Sequence, residues 1–188
     1  MSLKKYITKK KPWQYILYTA IIILGIILDQ LTKSLATEYL KPIGTLPVIE
    51  GFAHLTYHIN HGIAFGMLQG AGWLFNTVTL IVVPVLGIYL YLCPIKSRVT
   101  EIALPMIITG GIGNSIDRLS LGYVVDFIDF SSIGFNAIFN VADSFVTVGA
   151  FMLIGALIFE LVQEIRKESE AKKANNSLQE QDDNGGEQ

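Results

Sequence analysis

Cysteine and charged residues are both scarce in this sequence. Cys93 is the single cysteine among 188 residues, so no disulfide can form within the chain. Charged residues make up 16% of the chain and apolar residues 51%, a balance that soluble chains of this length seldom have. The sequence also lacks a glycine-rich phosphate loop, a Gly-x-Ser-x-Gly elbow and a His-Glu-x-x-His motif. Its lysines do not interleave with aromatic residues into a basic patch, so nucleic acid is not an expected partner.

Four long stretches are almost free of charge. Each is long enough, with its flanks, to cross a hydrocarbon core of about 30 Å as a helix. These stretches are residues 13–28, 62–95, 102–116 and 144–159. We therefore expect an all-α membrane protein with four transmembrane helices, a small extracytoplasmic β element and loops.

Lysine and arginine residues cluster on one side of the four predicted spans. They precede the first span, occupy the loop between the second and third at Lys96 and Arg98, and follow the fourth. An excess of these residues marks the cytoplasmic side of a membrane. Both termini are therefore expected in the cytoplasm, and the connections 37–72 and 119–140 are expected to face outward.

The chain divides into three regions by composition. Residues 1–12 form a basic cytoplasmic N-terminus, and residues 13–165 form the membrane domain. The first apolar run exceeds the 7–15 residues typical of a secretory signal and has no small-residue cleavage site, so we expect it to be an uncleaved span. Residues 166–188 are polar and are predicted to be a disordered cytoplasmic tail.

The connection between the first two spans has a strand-like pattern. Leu55 to Ile59 alternates apolar and polar residues and is rich in aromatic and β-branched side chains. This pattern predicts the β element within the extracytoplasmic region of about 37–72. The loop after Asn60 carries Phe65 close to the membrane, and from its position we expect it to cradle or cover a substrate.

Carboxylates gather at the outward ends of the spans. A carboxylate beside lipid is costly and needs a physical reason. Four aspartates share this side of the predicted membrane: Asp29, Asp117, Asp126 and Asp143. A proton or ion pathway would leave ionisable groups at several depths, whereas the middle of each span is free of charge. The pattern therefore favours a site at the outer interface.

Several of these residues also have a purely structural interpretation. Asp29 and Lys33 are four residues apart and fit an ion pair on one helix face. Arg118 next to Asp117 fits simple neutralisation. Gly110, Gly111 and Gly113 fit close helix packing, and Asn140 and Asp143 fit a helix cap and its first turn.

Asp126 is the carboxylate that a structural role explains least. It lies in the apolar segment 122–130 without an obvious cationic neighbour, so its pKa is expected to be raised. With Asp143 it is suited to a pair that shares one proton, in which one acid activates water and the other polarises a carbonyl. Such a pair hydrolyses an amide without a metal, a cofactor or a covalent intermediate. Asp129 competes for this role but has no evident partner.

Three alternatives compete with a peptidase. A zinc site at His54, His58 and His61 is disfavoured, because residues four apart on a strand are separated by about 13 Å. A small transporter or lipid-binding protein would use the same carboxylates to hold an ion or a head group. A structural membrane subunit would explain the apolar spans but not the polar residues on one side.

Five motifs in the chain resemble, in order and spacing, those of bacterial lipoprotein signal peptidase, also called signal peptidase II. The resemblance covers about residues 13 to 165. The motifs are Asp29-Gln30-Leu31-Thr32-Lys33, Asn60-His61-Gly62-Ile63-Ala64-Phe65, Gly110-Gly111-Ile112-Gly113-Asn114-Ser115-Ile116-Asp117-Arg118, Val124-Val125-Asp126-Phe127-Ile128 and Phe139-Asn140-Val141-Ala142-Asp143-Ser144.

The resemblance implies an aspartyl endopeptidase of the bacterial inner membrane. Its substrates would be prolipoproteins that carry diacylglycerol on a cysteine, cut just before that cysteine, and globomycin-type compounds would inhibit it. By motif position the catalytic pair is Asp126 and Asp143. Residues around the site would be Asn60, Asn114, Arg118 and Asn140, and those with structural or supporting roles Asp29, Lys33, Asp117, Gly110 and Gly113.

Overall fold

Helices and one small sheet form the architecture of the computed structural model, which describes residues 10–62 and 72–185. The α-helices within these residues are α1 (Pro12–Leu35), α2 (Gly72–Leu92), α3 (Arg98–Ser120) and α4 (Val141–Gly185). The strands are β1 (Thr45–Ile49), β2 (Ala53–Asn60), β3 (Val124–Asp129) and β4 (Ile138–Phe139). They form an antiparallel sheet in the order β1-β2-β3-β4.

Three helical segments are long and apolar enough to cross a membrane: Pro12–Leu40, Arg98–Ser120 and Val141–Glu170. The first of them includes a π-helical turn, Ala36–Leu40, that continues α1. The apolar part of α2 is the shorter segment Asn76–Leu92. A span count of four thus remains a prediction, and residues 63–71 of the predicted second span lie outside the described residues.

Helix α3 forms the centre of the bundle. In its most apolar window 61% of residues are buried, against 17% for α1 and 11% for α4. The outer helices leave large apolar side chains exposed, including Ile16 and Phe151, as helices in contact with lipid do. Helix α2 packs principally against α3. The core of the bundle includes Tyr18, Leu90 and Leu104.

The sheet is larger than the sequence pattern indicated. The β1–β2 hairpin lies in the region 37–72, as predicted, but β3 and β4 belong to the connection 119–140, which was expected only to link two helices. The reason is burial: five of the six residues of β3 are buried, so the strand lacks the alternation that marks a half-exposed strand. Val125 and Phe127 pack with Ala36 and Leu40, which attaches the sheet to the end of α1.

Residues 166–185 of the predicted tail belong to the end of α4. Helix α4 continues through residue 166 and ends at Gly185. The tail contains several Glu, Lys and Gln residues, which have high helix propensity, and Glu168 and Lys172 have the spacing of a favourable helical pair. A segment need not bury a core to be helical when it extends an existing helix, because the costly nucleation step is already made. Residues 1–9 of the predicted basic N-terminus lie outside the described residues.

Candidate active site

Asp126 and Asp143 lie on separate elements that meet at one end of the bundle. Asp126 is in the middle of β3, and Asp143 is the third residue of α4. Asn140 immediately precedes α4, and Asn114 lies in the last two turns of α3. The structure thus brings together residues that are up to 29 positions apart in the sequence.

Asp126 is almost completely buried, with 1% of its surface exposed. One carboxylate oxygen accepts a hydrogen bond from Asn60 Nδ2 at 2.8 Å, and the other accepts one from Asn140 Nδ2 at 2.7 Å. Burial, together with the negative charge of Asp143, raises the pKa of Asp126 to about 7, although the two amide donors oppose the shift. The raised pKa expected from the sequence is therefore confirmed.

Asp143 is half-buried and takes part in the cap of α4. Its carboxylate accepts hydrogen bonds from Asn114 Nδ2 at 2.7 Å and from the Asn140 backbone N–H at 3.2 Å. In return, the Asp143 backbone N–H donates to Asn140 Oδ1 at 2.8 Å, which completes a reciprocal capping box. The predicted cap is therefore confirmed, and it fixes the Asp143 carboxylate next to Asn114.

Asn140 is the residue that links the two acids. It is fully buried, and its Nδ2 donates to Asp126 and, at 3.0 Å, to Asn114 Oδ1. Through Asn114 the chain of hydrogen bonds continues to Asp143. The two carboxylates consequently belong to one buried polar network, in which the ionisation of one affects the other.

Lys33 supports this network from α1. Its side chain is buried, and Nζ lies 3.0 Å from Asp29 Oδ2, 3.1 Å from Asp117 Oδ2 and 3.0 Å from Asn114 Oδ1. The predicted Asp29–Lys33 ion pair is confirmed. Asp117 forms its ion pair with Lys33, and Arg118 also lies within electrostatic range of the Asp117 carboxylate. The bond from Lys33 fixes the Asn114 amide with its Nδ2 directed at Asp143.

The two carboxylates that flank Lys33 anchor the elements carrying the acids. Asp29 Oδ1 accepts a hydrogen bond from the Ala142 backbone N–H of α4 at 2.8 Å. Asp117 Oδ2 accepts one from the Val125 backbone N–H of β3 at 3.1 Å. Helix α1 thereby holds α4, and helix α3 holds β3, so that the two elements carrying the acids stay next to each other.

Gln30 is a site residue that the sequence reasoning did not single out. Its Nε2 donates to Asp29 Oδ2, to the Gly113 carbonyl and to Asp117 Oδ1 at 3.0 to 3.2 Å. Its position next to Asp29 in the first motif was the only available signal. Gly113 must be small here, since a Cβ at this position would lie 2.6 Å from Asp29 Oδ2.

Two clefts flank Arg118. The first, which we call the interface cleft, has a volume of about 370 Å³. The second, which we call the helix cleft, has a volume of about 230 Å³. Arg118 lines both and lies within electrostatic range of Asp143 and Asp126. The other residues lining the interface cleft are Asn60, His61, Trp73, Asn76, Gly122 and Tyr123, and those lining the helix cleft include Thr79, Gly110, Asn114, Asp143 and Val146.

Asp129 and His54 make their hydrogen bonds outside the network of the acid pair. Asp129 accepts hydrogen bonds from Thr56 Oγ1 at 2.7 Å and from the Ser131 backbone N–H at 2.8 Å. His54 contacts Ser132 through Nδ1 at 3.1 Å. Within residues 10–62 and 72–185, no three His, Cys, Asp or Glu side chains are grouped so that they could hold a metal ion. The loop with Phe65 lies outside these residues.

Comparison with known proteins gives the family of this chain. A family model described as Signal peptidase (SPase) II matches residues 21–159, which contain both acids and all of the polar residues around them. The chain belongs to the signal peptidase II family.

Members of the signal peptidase II family match most of the chain. A protein named Lipoprotein signal peptidase from Caldanaerobacter subterraneus subsp. tengcongensis is 51% identical over 143 residues, which cover 75% of this chain and 97% of that protein. One of the same name from Clostridioides difficile is 45% identical over 146 residues, covering 77% and 97%. A solved bacterial membrane enzyme structure has a TM-score of 0.69 at 34% identity and covers 77% of this chain and 89% of that one.

Proposed function

We propose that this signal peptidase II family member is an aspartic endopeptidase of the bacterial inner membrane. It cleaves the signal peptide from diacylglyceryl-modified prolipoproteins just before the lipidated cysteine. Asp126 and Asp143 are the catalytic pair, and water is the nucleophile. The observation that carries this proposal is the joint hydrogen-bonding of both carboxylates through Asn140 and Asn114 at one end of an apolar bundle.

The pair divides the acid and base roles through one shared proton. With a pKa of about 7, Asp126 is near its titration midpoint at neutral pH, so the pair readily holds one proton and one negative charge. The ionised acid takes a proton from water while the protonated acid donates a hydrogen bond to the scissile carbonyl. The water oxygen then adds to the carbonyl carbon. As the C–N bond breaks, the acid that took the proton from water passes it to the leaving amine, which returns the pair to one proton and one negative charge.

Three amide side chains, those of Asn60, Asn114 and Asn140, hold the two carboxylates in place. Arg118 binds the substrate. Its guanidinium lines both clefts, where it can donate charge-assisted hydrogen bonds to substrate or lipid oxygens. The helix cleft lies between α2, α3 and α4 beside Asp143, which suits it to the end of a signal helix. The acyl chains of the substrate would lie in the surrounding lipid.

The membrane arrangement follows from the same proposal. Helix α2 serves as the fourth span, because its 21 residues extend about 31 Å at 1.5 Å per residue. Both termini are then cytoplasmic, and the acid pair and the sheet lie at the outer face. Globomycin-type inhibitors are expected to block the enzyme by occupying the substrate site.

The decisive experiment is cleavage of a diacylglyceryl-modified prolipoprotein by the purified protein in detergent with a chelator present. Wild type is compared with Asp126→Asn, Asp143→Asn and the control Asp129→Asn, whose carboxylate lies outside the pair. We expect a cut before the lipidated cysteine by wild type and the control, and a loss of at least about 10³-fold in both pair variants.

Two outcomes would contradict the proposal. If wild type does not cut this substrate, the ion- or lipid-binding alternative gains support, and binding of a head group is measured instead. If folded Asp126→Asn and Asp143→Asn both cut normally, the carboxylates are structural and the catalytic assignment is wrong.

A further inference from the structure

Among the described residues, Asn76 has an unpaired hydrogen-bonding group in the interface cleft. It lies on α2, where neither the motifs nor the charge pattern drew attention to it, and it lines the interface cleft. Its Oδ1 is buried and has no hydrogen-bond partner among the described residues. A buried acceptor without a partner is unfavourable in the free protein, and a native structure retains few of them.

The interface cleft adjoins the catalytic pair directly. Asn60, which lines the cleft, donates its Nδ2 to Asp126, and Arg118 forms part of the same wall. Three aromatic rings also line the cleft, with the His61 and Tyr123 centroids 5.7 Å apart and Trp73 largely exposed. A chain segment in this cleft therefore passes beside Asp126 between polar amide groups and apolar ring faces.

The chemistry of Asn76 and Arg118 distinguishes between possible occupants. A carboxamide offers one acceptor and two donors, so it pairs fully with a peptide group, which offers an N–H and a C=O. A diacylglyceryl ester offers only acceptors and would leave the Asn76 oxygen unpaired. The guanidinium of Arg118 adds donors for a second carbonyl. This combination fits an extended peptide better than a lipid ester.

We infer that Asn76 is a substrate-binding residue that holds the peptide backbone immediately after the lipidated cysteine in the interface cleft. This inference rests on the proposed function and adds a subsite to it. The helix cleft on the other side of Arg118 then takes the signal-peptide side of the scissile bond. Asn76 thus contributes to substrate binding and takes no part in the chemistry.

The first test combines kinetics with stability. Asn76→Leu is expected to raise KM about five- to tenfold, the effect of one hydrogen bond to substrate, with kcat changed less than about twofold. The unliganded variant is expected to melt at a higher temperature than wild type, because the buried orphan acceptor is gone. The control Thr77→Val changes the next residue on α2, which is exposed and donates its hydroxyl to a backbone carbonyl of the same helix, and both properties are expected to stay unchanged.

The second test identifies the substrate group that Asn76 binds. Lipidated peptide substrates are N-methylated, one at a time, at each of the three backbone amides that follow the cysteine. One methylation is expected to reduce kcat/KM for wild type about five- to tenfold while leaving Asn76→Leu unaffected, as coupling in a double-mutant cycle requires. If every methylation affects both enzymes equally, or if Asn76→Leu lowers the melting temperature without changing KM, the inference is wrong. Failure of wild type to cleave the unmodified substrate would instead overturn the proposed function.

Discussion

Asp126 shows how one buried side chain couples protonation to both activity and folding. Its raised pKa means that the folded protein favours the neutral carboxyl group, whereas the unfolded chain has the ordinary value of 3.8. The stabilising contribution of the neutral form is complete below pH 3.8 and is lost as the pH rises through about 7. The proposed mechanism also requires one neutral carboxyl group in the pair.

We predict that kcat/KM falls on the alkaline side with an apparent midpoint near pH 7, because the shared proton is lost there. In parallel, Asp126→Asn is expected to gain thermal stability relative to wild type as the pH is raised from 4 to 8. Activity and melting temperature measured over this range check both trends. A melting-temperature difference that does not change with pH would show that Asp126 titrates normally.

Lys33 is the cation that pairs with both Asp29 and Asp117 in the supporting network. Replacing it with Met removes the ion-pair partner of the buried carboxylates of Asp29 and Asp117, so we predict a loss of about 3–5 kcal/mol in the free energy of unfolding. Lys172→Met, on the exposed part of α4, is the control and is expected to change stability by less than about 0.5 kcal/mol. Unfolding in a mild detergent measures both.

A second comparison separates the charge of Lys33 from its hydrogen bond. In the triple variant Lys33→Met, Asp29→Asn, Asp117→Asn, the uncompensated charges are removed, and we expect most of the stability to return. Activity is expected to stay low, because the Asn114 amide is no longer fixed toward Asp143. Full activity in this variant would mean that Lys33 does not position Asn114.

At the scale of elements, α3 packs so closely against α1 and α4 that there is no room for a side chain at Gly113. We predict that Gly113→Ala costs about 1–3 kcal/mol of stability and reduces activity, because the new Cβ would press on the Asp29 carboxylate and on Ala142. Gly87→Ala on α2 is the matched control, since a Cβ there meets nothing within 4 Å. It is expected to stabilise the helix by about 0.5–1 kcal/mol. Thermal unfolding and the cleavage assay test the pair.

The same scale shows what sequence alone could predict. The apolar runs locate the four helices, and the carboxylates at the ends of those runs include Asp126 and Asp143. Both signals can be read from short stretches of the sequence. Strand β3 was not recognised, since burial on both faces removes the alternation that identifies strands. The contacts of Gln30, the pairing of Lys33 with Asp117 and the orphan oxygen of Asn76 depend on helix rotation and contact between distant segments, which composition does not encode.

At the scale of the whole molecule, orientation in the membrane can be tested with introduced cysteines. The native thiol is removed as Cys93→Ser, and single cysteines are introduced as Ser132→Cys, after β3, and Lys172→Cys, on α4. We predict that a membrane-impermeant maleimide labels position 132 in intact cells and position 172 only after permeabilisation. The reverse result would place the acid pair on the cytoplasmic side and contradict the proposed topology.

The helix cleft also determines which concentration controls the reaction. It is bounded by three apolar helices, so in the proposed mechanism a signal helix reaches Asp143 by moving sideways through lipid rather than by diffusing through water. Encounter therefore takes place in two dimensions, and the relevant quantity is substrate per lipid or detergent molecule. Adding detergent at a fixed bulk substrate concentration will slow the enzyme by dilution within the surface, and the released signal peptide will remain in the same layer as a competitor.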